Sequence, residues 1–315
     1  MPLIGSHATV TGGVATGGLS YASAVGAEVI QVFVSNPRGW AAGPGDPGED
    51  ARLRESQIPV FVHATYMINL GSGNPEVAAR SADAVAHALR RGADIGARGV
   101  VVHTGSAAGW AARDTARDTA IGAAGGAARD RALRQIGEIA LPLLDKLGDD
   151  DPDLLFEPMA GQGQMLCAHA GELASYLSAV EHHPKAGVCL DTCHMFAAGH
   201  DLTAEGGVAA MLAELDAAAG TEATAASTEA AGAGTAAVKG ARGLELVKLA
   251  HANDSRLGCG SKRDRHEAIG AGQIGTAPFR ELLAALPSVP FVVETPGGKT
   301  GHARDIATLK GLRAR

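Results

Sequence analysis

The segment GVCLDTCH, residues 187–194, places a carboxylate and an imidazole three residues apart at the end of an apolar run. The run 188–190 is typical of a strand that is buried on both faces of a parallel sheet. Asp191 follows it directly, and a charge at this position is costly unless it is paired or binds a metal. In the alternative interpretation, Asp191 caps the following helix and His194 packs beside it.

The same pattern recurs along the chain, which favours a metal site over isolated structural residues. Eight short apolar segments alternate with Ala-rich stretches, and six of them end at a residue that can bind metal. These six residues are His63, His103, Glu157, Asp191, His251 and Glu294. Three further candidates, His194, Asp264 and His266, follow the sixth and seventh segments. Six such strand ends in one chain predict a common functional site.

The alternation of segments also predicts the fold that positions these residues. The predicted strands are 3–5, 29–34, 58–62, 99–102, 154–156, 188–190, 246–250 and 291–293, and the predicted helices include 76–91, 129–147, 171–181 and 277–286. Eight β–α units predict an α/β protein with a single (β/α)8 TIM barrel over residues 1–315. Active sites of such barrels lie at the C-terminal ends of the strands, so the nine candidates should converge there.

The ligand types indicate which metal the site would bind. Five His, two Asp and two Glu are too many for one tetrahedral ion, which takes three or four protein ligands. A mixture of imidazole and carboxylate suits zinc, with manganese or iron as alternatives, and disfavours magnesium and calcium. Adjacent divalent ions can stabilise the attacking and leaving oxygens of a phosphoryl displacement and lower the pKa of bound water. The residues therefore predict a metal cluster suited to hydrolysing phosphate esters.

Composition limits the remaining classes of protein. The chain of 315 residues is 46% hydrophobic, has no apolar run long enough to span a membrane, and begins without a signal-peptide pattern. These features predict a cytoplasmic protein. The cysteines, Cys167, Cys189, Cys193 and Cys259, have no disulfide-like spacing and are expected to be reduced. A net charge of −7 argues against binding nucleic acid through a basic surface, unless bound cations offset the acids.

Two low-complexity stretches are predicted to be surface insertions in the barrel. Residues 107–128 repeat Arg-Asp-Thr, and residues 217–240 consist almost wholly of Ala, Gly, Thr, Ser and Glu. The second stretch lacks the apolar residues needed to bury a face, so a mobile surface loop is expected. Deleting it should leave thermal stability and activity nearly unchanged.

Three motifs of the chain resemble signatures of the endonuclease IV family of DNA-repair enzymes. They are HATYMINLG at 63–71, GVCLDTCH at 187–194, and HANDS at 251–255 continuing to GS at 260–261 and DRH at 264–266. The resemblance extends from residues 5–7 to residues 294–295 and so covers most of the chain.

The resemblance implies a barrel that holds three zinc ions, with manganese as an alternative at one site. The first zinc would bind His63, His103 and Glu157; the second Glu157, Asp191, His251 and Glu294; the third His194, Asp264 and His266. Glu157 would thus be the shared, catalytic carboxylate. The implied activity is hydrolysis of the phosphodiester 5′ to an abasic site in double-stranded DNA, leaving a 3′-hydroxyl and a 5′-deoxyribose phosphate. Removal of blocking groups from 3′ ends is implied as well, and a monomer is expected.

The resemblance also implies DNA-binding residues in two loops. Arg38 would insert into the base stack, while Tyr66 and Met67 would enter the minor groove. The alternatives are that Arg38 is a solvated loop residue and that Tyr66 packs over the barrel mouth.

Two other functions remain compatible with the same fold. A metal-dependent sugar isomerase or epimerase would need only one or two metals and a proton shuttle, and the third set of candidate ligands argues against it. A non-catalytic DNA-lesion binder would be expected to have lost ligands, whereas all nine are present.

Overall fold

The computed structural model describes residues 1–110, 121–220 and 243–313. Its strands are β1 (Ile4–His7), β2 (Ile30–Phe33), β3 (Val60–His63), β4 (Gly99–His103), β5 (Asp153–Glu157), β6 (Ala186–Asp191), β7 (Val247–His251), β8 (Asp254–Ser255), β9 (His266–Glu267) and β10 (Phe291–Val293). Strands β1 to β7 and β10 pair in parallel and close into a barrel in which each strand lies beside its sequence neighbours. The predicted (β/α)8 barrel is confirmed.

Helices surround the barrel between successive strands. In the described residues they are α1 (Val14–Val25), α2 (Pro47–Arg54), α3 (Pro75–Asp94), α4 (Ile121–Leu144), α5 (Leu173–Ala179), α6 (Thr192–Ala198), α7 (Gly207–Gly220), α8 (Ala277–Ala285) and α9 (Gly298–Arg313). Side-chain caps define several helix starts, as where Asn74 accepts hydrogen bonds from the Glu76 and Val77 amides. Within the described ranges, none of these helices combines the length and apolar character required to cross a bilayer.

Two apolar layers hold the barrel together. The larger core lies between the strands and the surrounding helices, and includes Ile30, Val62, Val100 and Ile306. A smaller cluster fills the barrel interior and consists of Val29, Phe61, Val101, Leu155, Cys189, Leu249 and Val292. Because side chains alternate between the two faces of a strand, residues two positions beyond this inner cluster also point inward.

The excursion after β7, residues 252–276, is a long connection that lies at the barrel mouth. Strands β8 and β9 form an antiparallel pair in which Ser255 lies opposite His266. The buried Asp254 carboxylate accepts hydrogen bonds from five backbone amides, those of Ser255, Gly270, Gly272, Ile274 and Gly275, at 2.7–3.3 Å. This single acid therefore anchors residues 270–275, which follow the strand that carries His266.

Parts of both segments predicted as insertions lie in described helices. Ala107 and Ala128, at the two ends of the first segment, are both buried in the core, and residues 121–128 belong to α4. Residues 217–220 belong to α7, where Ala218 is buried. The helix predicted over 129–147 therefore begins earlier, at Ile121, because Ala-rich sequence is typical of both helices and surface loops. The remaining parts, 111–120 and 221–240, lie outside the described residues, as does most of the predicted mobile loop.

Glu28 joins the last helix to the first strand. Its carboxylate accepts hydrogen bonds from the Ile4 amide at 3.0 Å and from Arg313 Nη1 at 2.7 Å, and it lies 3.1 Å from Lys310 Nζ. Burial alone would raise the pKa of Glu28, but the hydrogen bonds from Arg313, Ile4 and Lys310 lower it to about 2. The ionised carboxylate therefore stabilises the folded chain.

We expect Glu28→Gln to lower the free energy of unfolding by roughly 1–2 kcal/mol at pH 7, allowing for partial solvent screening. Because the folded-state pKa lies below the unfolded one, this contribution is fully present above about pH 4.5. It should disappear as the pH falls towards 2, so the parent and the variant should converge in acid. Chemical denaturation at several pH values measures this difference. Glu76→Gln, which removes an exposed pair with Arg80, is the control and should change stability little at any pH.

Candidate metal centre

A layer of inward-facing polar side chains closes the C-terminal end of the barrel. On seven strands the residue two positions beyond the inner apolar cluster is polar: Gln31, His63, His103, Glu157, Asp191, His251 and Glu294. On β1 the corresponding residue is His7, which lies opposite Gln31 in the β1–β2 register. All six predicted strand-end candidates therefore meet at the barrel mouth.

Glu157 occupies the centre of this layer, with a different pair of imidazoles at each oxygen. Its Oε2 atom lies 3.4 Å from His63 Nε2 and 3.5 Å from His103 Nε2. Its Oε1 atom lies 3.2 Å from both His194 Nδ1 and His251 Nδ1. The side chain is buried, and Oε2 has no hydrogen-bond partner among the described residues. The carboxylate can therefore link two neighbouring groups of ligands.

A second group surrounds His251. The His251 Nδ1 atom lies 3.4 Å from Glu294 Oε2 and 3.8 Å from Asp191 Oδ2, in addition to its approach to Glu157. Asn253 fixes two of these acids, because its side-chain amide donates to Asp191 Oδ2 at 2.7 Å and its oxygen accepts from the Glu294 amide at 2.9 Å.

A third group combines residues of α6 and of the excursion after β7. Asp264 places Oδ2 3.4 Å from His194 Nε2 and Oδ1 3.0 Å from His266 Nε2. The His266 Nε2 atom also lies 3.7 Å from Asp191 Oδ2. The two-residue spacing of the DRH motif thus places both of its candidate ligands on the same side.

Asp191 both caps a helix and faces the candidate metal site, which are the two roles that the sequence left open. Its Oδ1 atom accepts a hydrogen bond from the His194 amide at 2.8 Å and so caps α6. Its Oδ2 atom faces His251 and His266. Capping one helix with one oxygen leaves the other oxygen available to the site.

The acids and imidazoles of the site shift one another's pKa values. Burial alone would raise the pKa of Glu157, but His251, His103 and His194 lower it well below its usual range. Burial likewise opposes ionisation of Asp264, yet His194 and His266 lower its pKa. In return, Asp264 and Asp191 raise the pKa of His266 to about 9 against the effect of its burial. So many buried acids require cations among them.

The donor set fits divalent zinc. Buried atoms without a hydrogen-bond partner in the described chain include Glu157 Oε2 and His266 Nε2, which both belong to the predicted ligand sets. His63 Nδ1 lies 2.7 Å from the Ala64 carbonyl oxygen and His194 Nδ1 lies 3.0 Å from that of Pro158. Donation from each Nδ1 leaves Nε2 as the coordinating atom, the usual way in which proteins orient a histidine ligand.

Two buried thiols lie next to the site. Cys189 is close to Glu157 and His251, and Cys193 is close to Asp191 and His266. Burial raises the pKa of each thiol to about 12, so both are neutral. All four cysteines of the chain are free, as predicted, and the nine oxygen and nitrogen ligands form the three groups without sulfur.

Comparison with known proteins identifies the family. Residues 19–312 match the family model described as a xylose isomerase-like TIM barrel. The chain is 46% identical to a probable endonuclease 4 of Streptomyces coelicolor, over 98% of this chain and 95% of that protein. The chain belongs to the endonuclease IV family.

Solved structures agree with this assignment. Endonuclease IV from Thermus thermophilus superimposes with a TM-score of 0.72 at 30% identity, covering 99% of this chain and 98% of that one. A D-tagatose 3-epimerase-like protein superimposes with a TM-score of 0.64, covering 98% of this chain and 96% of that one. At 15% identity this second similarity shows a shared fold alone.

In this endonuclease IV family member, the structure adds three residues that sequence reasoning missed. Gln31 and Asn253 form hydrogen bonds with the candidate ligands, and His7 Nδ1 lies 3.1 Å from Glu294 Oε1. Gln31 was overlooked because it lies within the apolar run 29–34. A single polar residue inside such a run could have indicated a side chain that faces the site. His7 ends the first strand as the other candidates end theirs, but it was not counted with them.

The candidate DNA-binding residues lie on two adjoining loops. The Pro37 carbonyl oxygen accepts hydrogen bonds from the Tyr66 amide at 3.0 Å and from Thr65 Oγ1 at 2.9 Å, which joins the loops. Arg38 is exposed and forms no ion pair in the described parts of the chain. Tyr66 stacks on His103, with a ring-centroid distance of 5.7 Å, and it is 47% exposed. Tyr66 therefore packs over the barrel mouth and also leaves a free apolar surface.

Proposed function

We propose that the chain is a DNA-repair endonuclease that hydrolyses the phosphodiester 5′ to an abasic site in double-stranded DNA. The products would carry a 3′-hydroxyl and a 5′-deoxyribose phosphate, and blocking groups at 3′ ends would be removed at the same site. The observation that carries this proposal is that four candidate histidine ligands lie 3.2–3.5 Å from one buried carboxylate, Glu157, while the other four candidates lie beside those histidines at the same barrel mouth. The cytoplasmic location and monomeric state expected from the sequence belong to the same proposal.

Three zinc ions would be held by the three groups of side chains. His63, His103 and Glu157 would bind the first; Glu157, Asp191, His251 and Glu294 the second; and His194, Asp264 and His266 the third. Zinc in such a cluster supplies a nucleophile from water at neutral pH and stabilises negative charge on phosphate oxygens. The protein contributes a rigid arrangement, because the ligands lie on barrel strands or on loops fixed by Asp191, Asn253 and Asp254.

The loops beside the centre suit a distorted duplex. Tyr66 and Met67 are adjacent large side chains that remain 47% and 42% exposed. Apolar side chains of this kind can insert into the minor groove, at a cost in unstacking that is lowest where a base is already missing. Exposed Arg38 could occupy the gap left by the base. The enzyme would then select abasic DNA because a duplex that lacks a base is easier to distort than an intact one.

A sugar isomerase or epimerase is the main alternative on this fold. Such an enzyme has no evident need for His194, Asp264 and His266, which form a complete third group at the barrel mouth. A non-catalytic lesion binder likewise gives no reason to keep nine ligands together.

The proposal is tested with a duplex that carries one abasic site and a label at each end. Purified protein should cut only the strand with the lesion, and the upstream fragment should prime a polymerase without further treatment because it ends in a 3′-hydroxyl. A matched duplex with an intact base is the control. Cleavage on the 3′ side, or equal cleavage of both duplexes, would contradict the proposal.

Arg38→Ala and Tyr66→Ala should each weaken binding to abasic DNA on the order of tenfold, since a stacking contact contributes about 1–3 kcal/mol. Zinc content should remain that of the parent, because neither residue is a candidate ligand. Equilibrium binding and elemental analysis measure the two quantities. Arg134→Ala, which removes an exposed arginine on the outer surface of α4, is the control. If both variants bind abasic DNA as tightly as the parent, Arg38 is a solvated loop residue and Tyr66 only packs over the barrel mouth.

A further inference from the structure

Gln31 is a buried side chain on β2 that contacts groups from three other strands or strand ends. Its Nε2 atom lies 2.7 Å from Glu294 Oε1 and 2.9 Å from His7 Nδ1. Its Oε1 atom lies 2.9 Å from His251 Nε2. Every hydrogen-bonding atom of this amide is therefore within bonding distance of a residue at the barrel mouth.

The chemistry of Glu294 determines which way this amide is oriented. An ionised carboxylate can only accept hydrogen bonds, so the Gln31 atom 2.7 Å away must be the NH2 group. The opposite orientation would place two oxygens against each other without a hydrogen between them. Gln31 Oε1 must therefore face His251, and it can only accept.

The orientation of Gln31 in turn fixes the histidine tautomer. Because Gln31 Oε1 accepts, His251 must carry a hydrogen on Nε2. The other ring nitrogen, Nδ1, is the one that lies 3.2 Å from Glu157, 3.4 Å from Glu294 and 3.8 Å from Asp191. In the neutral imidazole, which is the form that binds metal, the lone pair therefore lies on Nδ1, at the point where the acids meet.

The second hydrogen of the Gln31 amide reaches His7. In a neutral His7 that accepts this hydrogen at Nδ1, 2.9 Å away, the ring hydrogen lies on Nε2, which has no partner in the described chain. His7 Nδ1 also lies 3.1 Å from Glu294 Oε1, but it cannot donate to that oxygen while it accepts from Gln31. A single amide therefore sets the hydrogen on Nε2 of His251 and holds one oxygen of Glu294.

We propose that Gln31 is a positioning residue that makes His251 Nδ1 the metal-binding atom and orients the Glu294 carboxylate beside it. Its importance for catalysis rests on the proposed function, whereas the tautomer and the metal affinity do not. Residues that hydrogen-bond to a metal ligand typically contribute about 10- to 100-fold to metal affinity or activity.

Two substitutions separate the accepting and donating roles. Gln31→Met has a similar volume and removes all three hydrogen bonds. Gln31→Glu retains an oxygen that can accept from His251 but loses both donors and places a second carboxylate beside Glu294. Ser6→Ala is the matched control, because Ser6 is a buried residue of β1 whose hydroxyl has no partner in the described chain and whose side chain points to the opposite face from His7.

The test combines nitrogen NMR of the histidine rings with zinc affinity measured by competition with a chelator. In the zinc-loaded parent, His251, assigned by comparison with His251→Asn, should carry its hydrogen on Nε2, and Gln31→Glu should preserve that tautomer. Gln31→Met should weaken the affinity for one zinc ion by about 10- to 100-fold, while Ser6→Ala retains parental affinity.

Two results would overturn the inference. One is a hydrogen on Nδ1 of His251 in the parent, and the other is parental zinc affinity and tautomer in folded Gln31→Met. If Gln31→Met does not fold, Gln31→Glu decides, because a changed His251 tautomer in that variant contradicts the assignment. Failure of the parent to cut abasic DNA would contradict the proposed function but leave the inference standing.

Discussion

The Glu157→Gln variant is expected to lose about three orders of magnitude or more in the rate of abasic-site cleavage. The amide keeps the size of the carboxylate but replaces one oxygen with an NH2 group, which is a poor metal ligand. Both oxygens of Glu157 face imidazoles, so one of the two pairs, His63 with His103 or His194 with His251, would lose its acidic partner. The negative charge at the centre of the site is lost as well.

The rate should be measured at saturating substrate, so that the chemical step is compared rather than affinity. Circular dichroism should show an intact barrel, and binding to abasic DNA should be largely retained because the loops around Arg38 and Tyr66 are unchanged. Asp153→Asn, at the opposite end of the same strand, is the control and should cut at the parental rate. Near-normal turnover in Glu157→Gln would show that the chemistry does not depend on this carboxylate.

Asp264→Asn is expected to remove one zinc ion and to reduce cleavage by about a hundredfold or more. Asp264 approaches both His194 and His266, at 3.4 Å and 3.0 Å, with a different oxygen for each ring. An asparagine cannot accept at both positions. The first two groups of ligands do not include Asp264, so about two zinc ions should remain bound.

Elemental analysis of the purified variant measures this change. Glu267→Gln is the matched control, because Glu267 lies next to His266 on β9 and belongs to none of the three ligand groups. It should retain about three zinc ions. Loss of all metal from Asp264→Asn would mean that the three groups are not separable, and an unchanged metal count would remove Asp264 from the ligands.

Strand ends were the most predictable part of the site. Asp191, His251 and Glu294 each interrupt an apolar run, and in a parallel barrel all such interruptions occur at the same end. The fold and the convergence of the nine candidates followed from this rule. Gln31 was not found by this rule, because the apolar run 29–34 continues after Gln31 with Val32 and Phe33. That its side chain faces the barrel interior follows from the alternation of side chains along the strand, which the apolar pattern did not reveal.

Long-range pairing was the least predictable part. The two-residue spacing of Asp264 and His266 suits two ligands on one side of an extended segment, but it could not predict that Ser255 pairs with His266. That pairing, and the anchoring of five amides by Asp254, depend on tertiary contacts across the excursion. The same limit explains why the Ala-rich residues 121–128 were assigned to an insertion rather than to α4.

The most direct test of the metal-centre proposal measures metal content and abasic-site cleavage on one preparation of the full chain. We expect about three zinc ions per chain and incision 5′ to the abasic site, with cleavage lost on chelation and restored by added zinc. Full incision activity from protein that holds a single ion, or activity that survives complete removal of metal, would contradict a centre built from these nine residues.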